Sequence, residues 1–116
     1  MGLDLRIKGY RTKDDKIGSY IGFNDFRRTW ARHLGFTLSV MEGFGGTKPW
    51  TNEPLQAFFN HSDCDGEISP EDCKEILAQA LIDAPLLTDS QSQYSFPILI
   101  RFCRKAVEKG EPIEFR

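Results

Sequence analysis

The two ends of the chain carry apolar residues at every second position. Leu3, Leu5 and Ile7 alternate with charged residues, and Ile113 and Phe115 do the same near the C-terminus. A period of two is typical of a strand with one buried face. The pattern therefore predicts one strand at each end of the chain, and these two strands can pair with each other.

The N-terminal third has a mixed pattern. A polar turn over 13–16 leads to an apolar stretch, 17–23, which predicts a second strand that two glycines weaken. Asn24 is then a suitable N-cap for a short helix that ends at Gly35. One face of this helix is apolar and is expected to be buried: Phe26, Trp30 and Leu34.

The middle of the chain contains a glycine-rich turn. Before it, residues 36–41 alternate between apolar and polar and predict either a strand or the extension of a helical hairpin. The turn over 43–46 should let Phe44 and Trp50 reach the core, and it lacks the spacing of a phosphate-binding glycine loop. A further helix is predicted to open at 51–52, with three residues facing inward: Leu55, Phe58 and Phe59.

Two later segments have the 3.6-residue period of amphipathic helices. The first covers 70–83. The second covers 96–109, follows a polar connector over 88–95, and carries Pro97 in its first turn, where proline is tolerated. We expect these two helices to pack against each other as an antiparallel pair.

Composition agrees with one small α+β domain, with about four helices and a few short strands near the N-terminal third and the C-terminus. The chain has 116 residues, of which 40% are hydrophobic and 12% aromatic. That length suits a single domain over 1–116, and that apolar content can fill its core. The net charge of −2 is close to balance, so a nucleic-acid partner is not expected.

One segment, 61–72, is far denser in potential metal ligands than the rest. Its carboxylates alternate around a glycine, between two predicted helices. Calcium takes roughly six to eight oxygen ligands, which a loop can supply from alternate positions with a glycine at the sixth. With Gly66 as the sixth position, positions one, three, five, seven and twelve are occupied by His61, Asp63, Asp65, Glu67 and Asp72.

The segment resembles an EF-hand calcium loop. The resemblance implies a non-enzymatic Ca²⁺ site in which Asp63, Asp65 and Asp72 supply carboxylates. Glu67 would contribute its backbone carbonyl, and Ser69 or a water molecule would complete the shell.

Two features of the segment depart from that pattern. The imidazole of His61 is a poor ligand for calcium and a good one for a transition metal, so a zinc-type site with Asp63 and Cys64 is an alternative. Asp72 is shorter than the glutamate that usually closes the loop.

The same residues also suit a plain turn followed by a capped helix. Asp63 and Asp65 can bond the backbone amides that follow them, and Gly66 permits a positive φ. Ser69 then serves as the N-cap of the next helix, with Asp72 completing a capping box. On this interpretation the acidic segment is purely structural and binds no metal.

No catalytic constellation is evident, so the protein is not expected to be an enzyme. His61 could act as a general base, but no Ser or Cys nucleophile can be matched to it. The alternative to an ion-binding domain is a protein-interaction module of the inhibitor or immunity type. Such a module would bind another protein, and the sequence does not determine its oligomeric state. It would dock through the acidic face or through a basic cluster: Arg27, Arg28 and Arg32.

The cysteines favour a reducing compartment, because their number is odd and their spacing forms no disulfide framework. Cys73 and Cys103 lie on apolar helix stripes and are predicted to be buried. Cys73 also has the spacing of a hydrophobic staple with Ile68 across the helix start. No signal peptide or membrane-spanning stretch is recognised, so the expected location is the cytoplasm.

A second resemblance covers the middle half of the chain. It is carried by Met41-Glu42-Gly43-Phe44-Gly45-Gly46, by Trp50 and by Asn60-His61-Ser62-Asp63-Cys64-Asp65-Gly66. These motifs resemble those of a group of small bacterial proteins to which no activity is assigned. The resemblance implies a bacterial or phage-related cytoplasmic protein and says nothing about mechanism.

Overall fold

Helices pack against a small sheet in the computed structural model, which describes residues 3–12, 16–51, 53–60 and 66–115. The elements in those residues are, in chain order, β1 (Leu3–Arg6), β2 (Lys16–Gly18), α1 (Tyr20–His33), a 3-10 turn (Leu38–Val40), α2 (Gln56–Phe59), β3 (Glu67–Ile68), α3 (Pro70–Asp83), α4 (Ser90–Lys109) and β4 (Ile113–Phe115). The predicted α+β class is confirmed.

The sheet is antiparallel, with the strand order β2-β1-β4-β3. β4 pairs with β1 through Phe115 opposite Leu5, and with β3 through Ile113 opposite Ile68. All four side chains are buried. The predicted pairing of the first and last strands is confirmed, and β4 joins the N-terminal strands to the segment that precedes α3.

α1 begins at Tyr20, inside the stretch predicted as a second strand. The prediction of Asn24 as N-cap is wrong, because the Ser19 hydroxyl accepts a hydrogen bond from the Gly22 backbone N–H at 3.0 Å and caps the helix earlier. Gly22 also lets α4 approach, since a Cβ there would lie 2.6 Å from Gln91 Oε1. The stretch is therefore strand only as far as β2.

The region 36–50 forms neither a strand nor a helical hairpin, so both predictions for 36–41 are wrong. It contains the single 3-10 turn and then a tight loop that returns to it, because the Lys48 N–H donates to the Val40 carbonyl at 3.0 Å. A Cβ on Gly46 would collide with the Val40 backbone, so only glycine fits there. Phe44 and Trp50 are half-buried with ring centroids 5.8 Å apart, as the glycine-rich turn predicts.

α2 is one turn long and starts later than predicted. The Glu53 carboxylate accepts a hydrogen bond from the Thr51 backbone N–H at 2.7 Å, which holds this stretch outside a helix. Leu55 then takes a left-handed φ of 54° immediately before the helix. Asn52, the other predicted start, lies outside the described residues.

α3 has the predicted bounds, whereas α4 begins at Ser90 instead of near Phe96. The segment predicted as a polar connector is therefore mainly helical. Its polar side chains bond β2: the Tyr94 hydroxyl donates to the Lys16 carbonyl at 2.8 Å and the Ser95 hydroxyl to the Ile17 carbonyl at 2.9 Å. Pro97 consequently lies inside the helix and not in its first turn.

Trp30 lies at the centre of an aromatic core formed by α1, α2 and α4. Four ring centroids lie between 4.9 and 5.7 Å from its own, those of Phe26, Phe58, Phe59 and Phe96. All five rings are buried. This core anchors α2, whose last two residues, Phe58 and Phe59, come shortly before the 61–72 segment in the sequence.

α3 and α4 make the most extensive contact between any two described elements, as predicted for this pair. Cys73 on α3 and Cys103 on α4 are both buried free thiols, also as predicted. They lie side by side: the Cys73 side chain and burial together raise the pKa of the Cys103 thiol. Both thiols therefore serve as small core residues.

Candidate functional site

The predicted metal-binding segment is described only in its second half. His61, Asp63 and Asp65, together with Cys64, lie outside the described residues. From Gly66 onward the backbone is described, and Gly66 has a φ of 95°. That left-handed conformation is the one a sharp turn at the sixth position of a calcium loop requires, and a plain turn requires it equally.

The two residues after Gly66 form β3. Ile68 is buried and faces Ile113 of β4, whereas the Glu67 side chain is exposed and stands opposite Glu114. The Gly66 carbonyl accepts a hydrogen bond from the Phe115 N–H at 2.8 Å. The turn is therefore held against the sheet from its sixth position onward.

Ser69 caps the start of α3 as predicted, whereas Asp72 reaches back to the Ser69 hydroxyl and not to its backbone N–H, as a capping box would require. The Ser69 hydroxyl accepts from the Asp72 N–H at 3.2 Å and donates to Asp72 Oδ2 at 3.1 Å. Across this cap Ile68 and Cys73 are both buried, and the Cys73 thiol donates to the Ile68 carbonyl at 3.9 Å. Asp72 thus has a structural role in the helix cap, and its carboxylate lies one turn beyond Ile68.

A groove of about 390 Å³ lies beside this helix start, between α2 and α3. Three carboxylates line it, those of Glu53, Asp72 and Glu75. The pKa of Glu53 lies below its usual value, chiefly because the Thr51 N–H donates to the carboxylate; the backbone N–H of Glu53 and then the charge of Lys48 lower it further. Within the described ranges, no three His, Cys, Asp or Glu side chains are arranged to hold a metal ion.

Arg27 is buried, so its predicted role in a docking surface is wrong. Its guanidinium donates to Asn24 Oδ1 at 2.7 Å and to the Phe59 carbonyl at 3.3 Å. It also lies over the rings of Phe23 and Phe44, at 4.6 and 5.2 Å from their centroids. Arg27 therefore fixes the end of α2 to α1, while the other two arginines of the cluster are exposed.

Asp83 is the centre of a buried polar cluster that the sequence analysis missed. Its Oδ2 accepts hydrogen bonds from Trp30 Nε1 at 2.8 Å and from Gln79 Nε2 at 2.9 Å, and its Oδ1 lies 3.2 Å from His33 Nε2. A carboxylate that orients an imidazole in this way is found in catalytic and metal sites. Within the described residues no third His, Cys, Asp or Glu joins Asp83 and His33 to form a metal-binding group. The hydrogen bonds of Asp83 connect α1 to α3.

The sequence did contain a signal for this cluster. Cys73, Ile76 and Ala80 recur at helical spacing on the buried face of α3, and Asp83 continues the same series. A carboxylate on an apolar stripe must find donors when the helix packs, because a buried unpaired charge is costly. The pattern could not identify the partners from α1, Trp30 and His33, although Gln79 lies one turn earlier on α3 itself.

Comparisons of the chain with protein-family models, with curated proteins and with solved structures found no match. Both resemblances stated from sequence motifs therefore stay predictions. Among the described helices, none is both long enough and apolar enough to cross a membrane.

Proposed function

We propose that the protein is a non-enzymatic domain whose segment 61–72 binds a hard divalent cation, with calcium as the preferred ion. The observation that carries the proposal is the order of conformations from the sixth loop position onward. Gly66 takes a left-handed φ, Ile68 is buried in a short strand, and α3 begins directly afterwards with Asp72 in its first turn. A helix–loop–helix calcium loop needs this order.

The proposed ligands are oxygen donors. Asp63, Asp65 and Asp72 would supply carboxylates and Glu67 its backbone carbonyl, with Ser69 or a water molecule completing the shell. Their net negative charge favours a divalent cation over a monovalent one. His61 has no role for calcium in this proposal, because its nitrogen is a poor partner for a hard ion.

A melting experiment tests the proposal. Protein stripped with EDTA is titrated with calcium, magnesium and zinc. A ligand that binds only the folded state stabilises it by about 2.7 kcal/mol at 100 times its dissociation constant. For a domain of this size the melting midpoint should rise by about 10 °C or more.

Substitutions identify the ligands. Asp63→Asn and Asp65→Asn should each reduce the calcium shift, because each removes one charge from the ion. Asp25→Asn is the matched control, since Asp25 is an exposed carboxylate on α1 and should leave the shift unchanged. His61→Ala should leave the calcium response intact and abolish a response to zinc. If no metal at millimolar concentration moves the midpoint, the acidic segment is a structural turn.

The second candidate function is a protein-interaction module. It is favoured by three large apolar side chains exposed on and just after the last turns of α3, those of Leu81, Ile82 and Leu86, which are 47%, 60% and 60% exposed. His33 of α1 lies near this end of α3, because its Nε2 is 3.2 Å from Asp83 Oδ1. Exposed apolar side chains of this size suit a protein partner that presents an apolar surface.

A binding assay separates this candidate from the first. The wild-type protein should bind a partner in a stoichiometric complex without metal. Ile82→Ser should abolish this binding, whereas Lys74→Ser, an exposed change on the same helix, should preserve it. Retention by the Ile82 variant would rule out the exposed apolar side chains as the docking surface. A bacterial cytoplasmic setting is part of both candidates, and the adjacent free thiols Cys73 and Cys103 support a reducing compartment.

A further inference from the structure

Positive charge is concentrated at the turn that follows β1. The Tyr10 N–H donates to the Ile7 carbonyl at 3.0 Å, and Gly9 has a φ of 78°, as the third residue of a type II turn requires. This geometry places exposed Lys8 at the tip of the turn. Arg6 and Arg11 flank it and are also exposed.

These residues line a cavity of about 460 Å³. Tyr10 and the buried Phe102 of α4 also line it, and their rings meet edge to face with centroids 5.4 Å apart. The volume lies in the range of sites that take small organic ligands. The cavity therefore combines an aromatic wall with a cationic rim, and we call it the basic cleft.

Two lysines of α4 lie close to this turn, although they are not among the residues that line the cleft. Lys105 Nζ lies 5.3 Å from the centroid of the Tyr10 ring, in a cation–π contact. Lys109, one turn further along, has its Nζ 3.4 Å from the position that a Cβ on Gly9 would occupy. Both lysines therefore add positive charge beside the turn.

Lys105 is paired with Glu108 at 3.4 Å, whereas the structure describes no such pair for the cations of the turn itself. Within the described part of the chain, no carboxylate lies within ion-pair distance of Arg6, Lys8 or Arg11, although the whole chain has a net charge of −2. Glu114 is the acidic residue among those that line the cleft, and it stands opposite Arg6 in the sheet. Cations held close together repel one another, and a concave surface focuses their field toward an anion.

We propose that the basic cleft binds a small polyphosphate-bearing molecule. Guanidinium groups match phosphate oxygens in a bidentate geometry, and Lys8 adds a point charge. A single orthophosphate would leave most of the cavity unfilled, whereas a chain of phosphates offers oxygens to more than one of the cations that line it. This site is independent of the proposed cation site, since it uses no residue of 61–72.

Calorimetric titration with sodium tripolyphosphate tests the proposal. The protein is first freed of divalent ions, because tripolyphosphate binds calcium and would otherwise report on the other site. At about 0.15 M salt, where surface attraction is largely screened, we expect one ligand per chain and weaker binding of orthophosphate. The double change Arg6→Gln with Arg11→Gln should weaken binding at least about tenfold.

The matched control is Arg28→Gln with Arg32→Gln, which removes the same charge from exposed positions on α1 and should leave the affinity unchanged. If the double cleft variant does not fold, Lys8→Gln alone should still weaken binding. Equal loss in the control, or no binding by the wild type, would overturn the proposal. Tighter binding of a short single-stranded oligonucleotide than of tripolyphosphate would also overturn it, in favour of a nucleic-acid surface.

Discussion

Asp83 shows how one buried polar side chain can join two helices. Its Oδ2 accepts hydrogen bonds from Trp30 and Gln79, and its Oδ1 lies 3.2 Å from the Nε2 of His33. A buried carboxylate in water-excluded surroundings is tolerated because these groups replace its lost hydration. The cost of removing it therefore depends on which donors are left without an acceptor.

We expect Asp83→Ala to destabilise the protein by about 1–3 kcal/mol more than Asp83→Asn. An asparagine oxygen can still accept from the Trp30 indole and from Gln79, whereas alanine leaves the buried indole N–H unsatisfied. The free energy of unfolding in urea measures the difference. Trp30→Phe should lower the free energy of unfolding less in the Asp83→Ala background than in the wild type, because the indole N–H is already unpaired in that background. Equal losses in the two backgrounds would show that Trp30 and Asp83 are not coupled.

At the scale of elements, α4 extends beyond the segment 96–109, whose apolar residues have helical spacing, and begins at Ser90. Its first turns carry few large apolar residues, yet Ser92 and Ser95 are completely buried. Asp89 caps this end by accepting from the Ser92 N–H at 3.0 Å, and Ser95 bonds the backbone of β2. Polar contacts with an edge strand thus extend the helix beyond its hydrophobic stripe.

The α3–α4 interface gives a prediction about packing. Leu99 is fully buried, and Leu99→Ala should cost about 2–5 kcal/mol of stability. Leu77 is half-buried at the edge of the core, so Leu77→Ala should cost only about 1 kcal/mol. Chemical denaturation of both variants checks the order. A larger loss at Leu77 would mean that the centre of this interface is placed wrongly.

At the scale of the whole molecule, β4 is the strand on which the sheet depends. It lies between β1 and β3, so residues from the two ends of the chain and from the candidate cation segment meet on it. Phe115 is buried, opposes Leu5, contacts Phe23 and donates its N–H to the Gly66 carbonyl. Loss of this strand would unpair one edge of β1, which stays paired with β2 on its other edge, and would release the turn at Gly66.

We therefore expect Phe115→Ala to lower the free energy of unfolding by about 3–5 kcal/mol, a large part of the total for a small domain. Arg104→Ala, an exposed change on α4, is the control and should have little effect. Hydrogen exchange should show faster exchange in β1, β3 and β4 at the same time. Faster exchange in β4 alone would contradict the central role of this strand.

The sequence by itself determined the elements whose own residues supply both the period and the termini. α3 has its predicted bounds because Ser69, Pro70 and its apolar stripe are all local to it. β1 and β4 follow from strict alternation, and their pairing buries both apolar faces. The burial of Phe26, Trp30 and Leu99 likewise follows from spacing on one helix face.

The tertiary structure decided the features that depend on residues distant in the chain. The start of α1 rests partly on the close packing of Gly22 against Gln91, and the first turns of α4 rest on bonds to β2. The sequence predicts Arg27 to be a surface charge, yet neighbouring rings and carbonyls bury it. Asp83 and the basic cleft arise in the same way, because a pattern shows where a polar group lies on an element and only packing brings it to its partners.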